Sequence, residues 1–311
     1  MKKFLLFLGK ILLCFCVVFP LLVSFLLVCP YKTYETSYQA VIQRKFDYLK
    51  NTKEKKIIIV GGSNASFGID EEKIEAETGY QVTNLGLHAG FGAIVPSELA
   101  KVNIAEGDIV LLAYEWGWHS HGYFDIFGTD LVISGFEHRL DMYKYLPGKH
   151  YPKLIGYLGE NLKKKIQYTP ASGVYSAESF DENGRMILDR PDTWMTYEGN
   201  EASLGSVNLG DGTISDDCIQ YLREYKSFVE ERGAAVYFVA PPVYRGAVVS
   251  GPEVFERLIQ QLQERIGIPY ISQPEDYFFP NEFVFDTPYH CTNSGEERRT
   301  ELLISDLKKI L

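Results

Sequence analysis

The 311 residues carry a net charge of −10, and the first 30 hold three lysines and no acidic residue, so the remainder carries −13. A chain this acidic is a poor partner for nucleic acid, whose affinity comes from neutralising phosphates, and it offers no polybasic membrane-surface patch. Of five cysteines, Cys14, Cys16 and Cys29 fall in the apolar start, and Cys218 and Cys291, 73 positions apart, make neither a disulfide framework nor a metal cluster; a single Cys218–Cys291 bridge stays open in an oxidising compartment.

Lys2, Lys3 and Lys10 precede Ile11 to Val28, an uncharged run of 18 residues broken only by Pro20 and Ser24. With Phe4 to Leu8 it is long enough to cross the roughly 30 Å hydrocarbon layer. The lysines should stay inside, which places everything beyond Cys29 outside the cytoplasm. Residues 1–30 are therefore expected to be a single-pass anchor in the cell membrane. A cleaved signal peptide is the rival reading, without an A-x-A-like site to support it; both readings export the protein.

Residues 31–55, rich in tyrosine and lysine, read as a juxtamembrane stalk or short helix. From residue 56 to 311 the hydrophobic pattern alternates in βαβ style. Ile57 to Val60 is a buried strand ending in Gly61-Gly62. A helix over Glu71–Glu77 stops at Gly79, and a short strand from Gln81 to Leu85 runs into Gly86. A helix over Ile94–Val102 precedes a third strand, Asp108 to Tyr114. Residues 116–215 lose periodicity apart from one helix near Leu154–Tyr168 and read as an insertion that forms a cap or a substrate-binding wall.

Order returns with a helix from Asp216, whose Ile219, Leu222, Tyr225 and Val229 share a face. A fourth strand spans Ala234–Ala240. A helix carrying Phe255, Leu258, Ile259, Leu262 and Ile266 then leads to a short fifth strand, Pro269–Ile271. A last helix is expected over Ser294–Leu311, opened by a capping box from Ser294 to Glu297. The sum is a three-layer α/β domain with a mostly parallel, five-stranded sheet.

A serine raised on a glycine turn at the carboxyl end of a strand sits where open α/β sheets bind ligands. Ser63 is the candidate nucleophile, His290 the base that takes its proton, and Asp286 the group that orients the imidazole. The N–H groups after Gly61-Gly62 and that of Gly86 could face a developing oxyanion. Asn64 follows the nucleophile and either meets the substrate or stabilises the turn. The third strand ends in Tyr114-Glu115-Trp116, which places a carboxylate beside the same rim. The glycine pattern satisfies neither a dinucleotide fingerprint nor a P-loop, and this chemistry calls for no cofactor and no metal.

Gly61-Gly-Ser-Asn64, Asn84-Leu-Gly86 and the late Asp286-Thr-Pro-Tyr-His290, in this order, resemble the SGNH/GDSL hydrolase superfamily over most of residues 56–311 outside the insertion. The chain is similar in particular to membrane-anchored, exported relatives that handle acyl groups on cell-surface polymers, such as teichoic-acid D-alanylation and alginate O-acetylation proteins. The resemblance implies a flavodoxin-like three-layer fold and a serine esterase or O-acyltransferase acting on an exported glycan or glycopolymer. If it transfers, the expected partner is a membrane-embedded acyl-donor protein. It implies Ser63 as nucleophile, Gly86 as oxyanion donor, His290 as base and Asp286 as its partner. Glu115 and Trp116 stand where the family's third motif places an oxyanion asparagine, and three residues rather than two separate Asp286 from His290, which keeps Glu282 open as the alternative.

Trp116-Gly-Trp118-His119-Ser-His121 is the other conspicuous cluster. His119 and His121 could ligate a metal, but no nearby cysteine or carboxylate set completes such a site. The indoles suit either a sugar-binding cleft or aromatic packing, and His88 reads as a loop histidine. A non-catalytic glycan-binding or scaffold module on the same fold is the competing class.

Overall fold

The computed structural model describes residues 2–120, 124–125, 128–193 and 206–311. Helix α1 (Lys2–Val28) reaches a mean hydropathy of 3.1 over its most apolar window and is long and apolar enough to cross a bilayer. In chain order follow α2 (Val41–Asn51), β1 (Lys56–Gly61), α3 (Glu71–Thr78), β2 (Gln81–Asn84), α4 (Ile94–Ala100) and β3 (Ile109–Ala113). Then come α5 (Thr129–Phe136), α6 (Tyr151–Gln167), α7 (Asp216–Glu230), β4 (Ala235–Phe238), β5 (Val243–Tyr244), α8 (Pro252–Gln261), β6 (Phe278–Phe279) and α9 (Asn293–Leu307).

The protein is α/β, with a four-stranded, wholly parallel sheet in the order β2-β1-β3-β4. β1 is buried along its whole length because both of its faces are covered. Ile57 and Ile59 pack with Ile74 of α3 and Leu303 and Leu307 of α9. Ile58 and Val60, on the opposite face by strand alternation, are equally buried. The segment expected as a fifth strand lies beside β4 and makes one parallel bridge, Phe238 to Tyr270. The Phe238 N–H donates to Pro269 O and the Ile271 N–H to Phe238 O. Pro269 brings no N–H with which to lengthen that ladder.

Register places the functional residues. Gly61 lies opposite Ala113, so β1 and β3 end at the same level and the turns after them leave the sheet side by side. Below, the amine of Lys56 is buried against Asp108 at 2.7 Å, with 2% and 1% of the two side chains exposed. Asp108 also accepts the N–H groups of Lys56 and Ala105, so the carboxylate holds the starts of both strands.

Several local expectations change in the structure. α9 is capped by Thr292, whose hydroxyl accepts the Gly295 N–H; Ser294 is already helical and cannot open a capping box. The segment read as a stalk or short helix contains α2, with Val41, Ile42, Phe46 and Leu49 buried. Cys218 and Cys291 are buried and not joined in a disulfide; Cys218 donates to Trp118 O, whereas Cys291 lies beside Gly68 and Gly295.

The chain divides into two compact units, Met1–Gln43 with Thr129–Glu178, and Arg44–Gly128 with Ser179–Leu311. The stretch expected as one insertion, 116–215, is therefore split between them. It contains α5, a four-residue helix at Leu140–Tyr143 and α6, where sequence periodicity showed one helix. In the first unit α6 packs on α1. The Lys165 ammonium donates to Leu27 O and Pro30 O and pairs with Glu137 at 3.2 Å, both side chains at most 1% exposed.

Removing one partner of a buried ion pair costs about 3–5 kcal/mol because the other charge is stranded. Asp108→Ala should therefore lower the unfolding free energy by about that amount in a urea titration. Lys56→Met should cost less, about 1–3 kcal/mol, because Asp108 keeps its two backbone donors. Equal losses would contradict this reading of the pair.

Candidate functional site

At the carboxyl end of β1, a Cβ on Gly61 would come within 2.6 Å of Ala113 O, so only glycine allows this approach of the two strands. Gly62 has ordinary extended backbone (φ −87°, ψ −156°), and its requirement is space: a Cβ there would meet the Glu115 carboxylate at 2.6 Å. A single helical turn, Ser63–Ser66, follows at once.

Ser63 is half-buried, and its hydroxyl donates to Glu115 Oε1 at 3.2 Å. The same oxygen accepts the Asn64 N–H at 3.2 Å. The buried Asn64 side chain donates from Nδ2 to Ala113 O at 3.0 Å, and its Oδ1 accepts from Arg299 at 2.8 Å. A second Arg299 nitrogen donates to the Asn64 carbonyl. Asn64 thus stabilises the turn, one of the two roles open to it from sequence.

The carboxyl-terminal half of the constellation is assembled as well. His290 Nδ1 lies 2.7 Å from Asp286 Oδ1, both side chains largely buried. An ionised carboxylate only accepts, so Nδ1 is the donor in this pair. The three-residue spacing is accommodated by a tight loop in which the His290 N–H donates to Thr287 O and the Phe285 N–H to His290 O. Asp286, not Glu282, is the carboxylate paired with the imidazole.

The His290 ring stacks on Phe67 with centroids 4.0 Å apart and planes 6° from parallel. The Phe67 N–H donates to Ser63 O, and Phe67 O accepts from the Cys291 N–H. Ser63 and His290 are therefore joined through one helical turn: the serine opens it and Phe67, carrying the imidazole, closes it.

The Asn84-Leu-Gly86 loop is fastened to this turn. Ser66 Oγ donates to Gly86 O at 2.5 Å, and Asn84 Nδ2 donates to Ala65 O at 2.9 Å. The Gly86 N–H donates to Asn84 Oδ1 at 2.9 Å, so an oxyanion role for Gly86 requires that bond to open. Its lack of a side chain serves packing: a Cβ would lie 2.4 Å from Ala65 Cβ and 2.7 Å from Gly62 O.

Beside the turn is a cavity of about 280 Å³ lined by Gly62, Glu115, Trp116, Trp118, Pro288 and Tyr289 among others. Trp116 and Trp118 are only 6% and 3% exposed. Trp116 packs edge-on against Phe255, and Trp118 stacks on Phe238. The indoles are thus mainly packing groups whose edges wall the cleft. Trp116 Nε1 is buried without a hydrogen-bond partner.

His119 is buried, with Nε2 3.2 Å from Leu209 O, and burial lowers its pKa. His121 lies outside the described residues, and no group of three potential metal ligands occurs among the described ones. His88 Nδ1 accepts the Gly90 N–H and caps a short loop helix.

Sequence reasoning missed Phe67 and Arg299. Gly68 carried a signal for the latter, since a Cβ there would sit 2.9 Å from the Arg299 guanidinium. No known protein-family model and no curated protein matches this chain.

The two glycines beside Ser63 should respond differently to a methyl group. Gly86→Ala collides with backbone and with Ala65, and should cost about 1–3 kcal/mol in thermal or urea unfolding. Gly62→Ala meets only the tip of Glu115, which can swing aside, and should cost under about 1 kcal/mol. Comparable losses at both positions would refute the assigned packing.

Proposed function

We propose that this chain is a membrane-anchored, extracytoplasmic serine esterase or O-acyltransferase of the SGNH/GDSL type, acting on acyl groups of a cell-surface glycan or glycopolymer. The observation that carries the reading is the pairing of Asp286 with His290, whose ring stacks on Phe67 at the end of the helical turn that Ser63 opens. The strand order β2-β1-β3-β4, with Pro269–Ile271 bridged beside β4, supports a flavodoxin-like arrangement in which that turn lies at a switch point between strands. Helix α1, with Lys2, Lys3 and Lys10 in its first turns, supports an anchored domain outside the cytoplasm.

In this mechanism His290 Nε2 takes the Ser63 proton as Oγ bonds to the ester carbonyl carbon. Asp286 holds the tautomer and stabilises the imidazolium that forms. The imidazolium returns the proton to the leaving alkoxide as the carbon–oxygen bond breaks, leaving acyl-Ser63. Water or a sugar hydroxyl, deprotonated by the same histidine, then bonds to the acyl carbon, and the imidazolium returns the proton to Ser63 Oγ as the acyl–serine bond breaks. For transfer, the acyl group would come from a membrane-embedded donor protein.

Glu115 favours a second reading, a non-catalytic glycan-binding or scaffold module. Its carboxylate already takes the Ser63 hydroxyl and the Asn64 N–H, and a negative charge there opposes a developing oxyanion. Detergent-solubilised full-length protein assayed on p-nitrophenyl acetate separates the two readings. Ser63→Ala should fall to background, and Asp286→Asn should lose about 10⁴-fold in kcat. Wild-type and Ser63→Ala rates that coincide would remove the nucleophile and leave the binding module.

A further inference from the structure

Arg299 belongs to α9, far from the glycine turn in sequence, and only 1% of it is exposed. Among the described residues its guanidinium donates two hydrogen bonds, both to one residue: one nitrogen donates to the backbone carbonyl of Asn64 and another to its side-chain oxygen at 2.8 Å, while Nε is buried without a partner. Burial lowers the guanidinium pKa to about 10, still far above neutral, so the group remains a cation. A planar fork suits two acceptors on one residue, and the point charge of a lysine does not. The space it occupies exists because residue 68 is glycine.

The grip passes on to Ser63. With its oxygen held, the Asn64 amide is oriented so that Nδ2 meets Ala113 O, and the Asn64 N–H meets Glu115. The same α9 follows directly on the segment whose Cys291 N–H is tied to Phe67 O. We propose that Arg299 is a positioning residue that sets the distance and angle between the Ser63 hydroxyl and the His290 imidazole, by clamping both acceptors of Asn64 to the helix that His290 precedes. The proposal rests on the acyl-serine reading, and it assigns Arg299 no contact with substrate.

A positioning role predicts a loss in kcat with little change in KM, because the substrate does not touch the clamp. A displacement of about 1 Å in a reacting group costs on the order of 100-fold. The experiment compares Arg299→Lys, Asn64→Ala and Leu303→Ala in the full-length protein, with ester hydrolysis, labelling of Ser63 by a fluorophosphonate and the melting temperature all recorded. Leu303 is buried on the same helix and is used by none of the chemistry, so it reports what general loosening of α9 does.

Arg299→Lys is expected to lose roughly 10- to 100-fold in kcat and in labelling rate, at unchanged KM, while Leu303→Ala melts at least as early and keeps its kcat. Asn64→Ala should show the same kcat loss, and combining it with Arg299→Lys should add little, since both open one clamp. Wild-type kcat in Arg299→Lys, or an equal loss in Leu303→Ala, overturns the proposal. If Arg299→Lys does not fold, Asn64→Ala decides: a folded variant with wild-type kcat overturns it. Wild-type protein whose Ser63 is neither labelled nor active sinks the acyl-serine reading itself and this inference with it, a result distinct from an active enzyme indifferent to Arg299.

Discussion

The buried amide of Asn64 is the constraint on which the rest of the site depends. It is cut off from water, so each of its polar atoms must find a partner within the protein or cost several kcal/mol. Its side-chain partners come from three places: Ala113 at the end of β3 and Glu115 just beyond it, both accepting from Nδ2, and Arg299 on α9, donating to Oδ1. One side chain therefore ties the turn after β1 to a neighbouring strand and to the last helix. A serine that follows two glycines would otherwise sit on a mobile turn. Here its neighbour is held on every side, and the serine inherits that order.

Much of this frame is legible in the amino-acid sequence. The aliphatic runs at Ile57–Val60 and Ile109–Ala113 have little choice but to pair in the sheet's interior, and Gly79 and Gly267 end their helices in the left-handed conformation only glycine adopts cheaply. The Ser63 turn and the Asp286–His290 pair could be named because their chemistry is local: a turn after a strand, and two residues four apart. The contacts of Arg299 and Phe67 could not, because they join positions hundreds of residues or a whole layer apart, and nothing in an amphipathic helix distinguishes a buried guanidinium from a solvated one. Thr292 rather than Ser294 caps α9, and the Thr292 N–H is tied to Phe283 O, a contact between loop residues that local sequence does not show.

The helical segment Thr129–Glu178 was the least legible part. Its helices do not share the sheet's pattern, and its order depends on Glu137, a residue at positive φ (43°) whose carboxylate accepts the Thr33 N–H and pairs with Lys165. A buried pair of this kind is poor evidence for stability and better evidence for a defined geometry, because the ammonium must also satisfy the carbonyls of Leu27 and Pro30 at the foot of α1. Lost periodicity over 116–215 reads as an insertion forming a cap or a substrate-binding wall, whereas Thr129–Glu178 belongs to a compact unit with α1.

Glu115 is where the physical chemistry pulls in two directions. As a carboxylate it is a good acceptor for the Ser63 hydroxyl and the Asn64 N–H, and it holds the resting turn in shape. In acyl transfer the incoming carbonyl oxygen would gain negative charge, and of these two donors only the Asn64 N–H could serve it, because the Ser63 hydroxyl gives up its proton. Both demands cannot be met at one position at one time. Gly62 leaves the space in which Glu115 sits, and the cleft opens on that side, so the carboxylate can rotate away without moving the backbone. On the proposed acyl-serine reading, substrate would enter by exchange, one acceptor leaving the Asn64 N–H as another arrives, while the grip of Arg299 on Asn64 holds that donor in place.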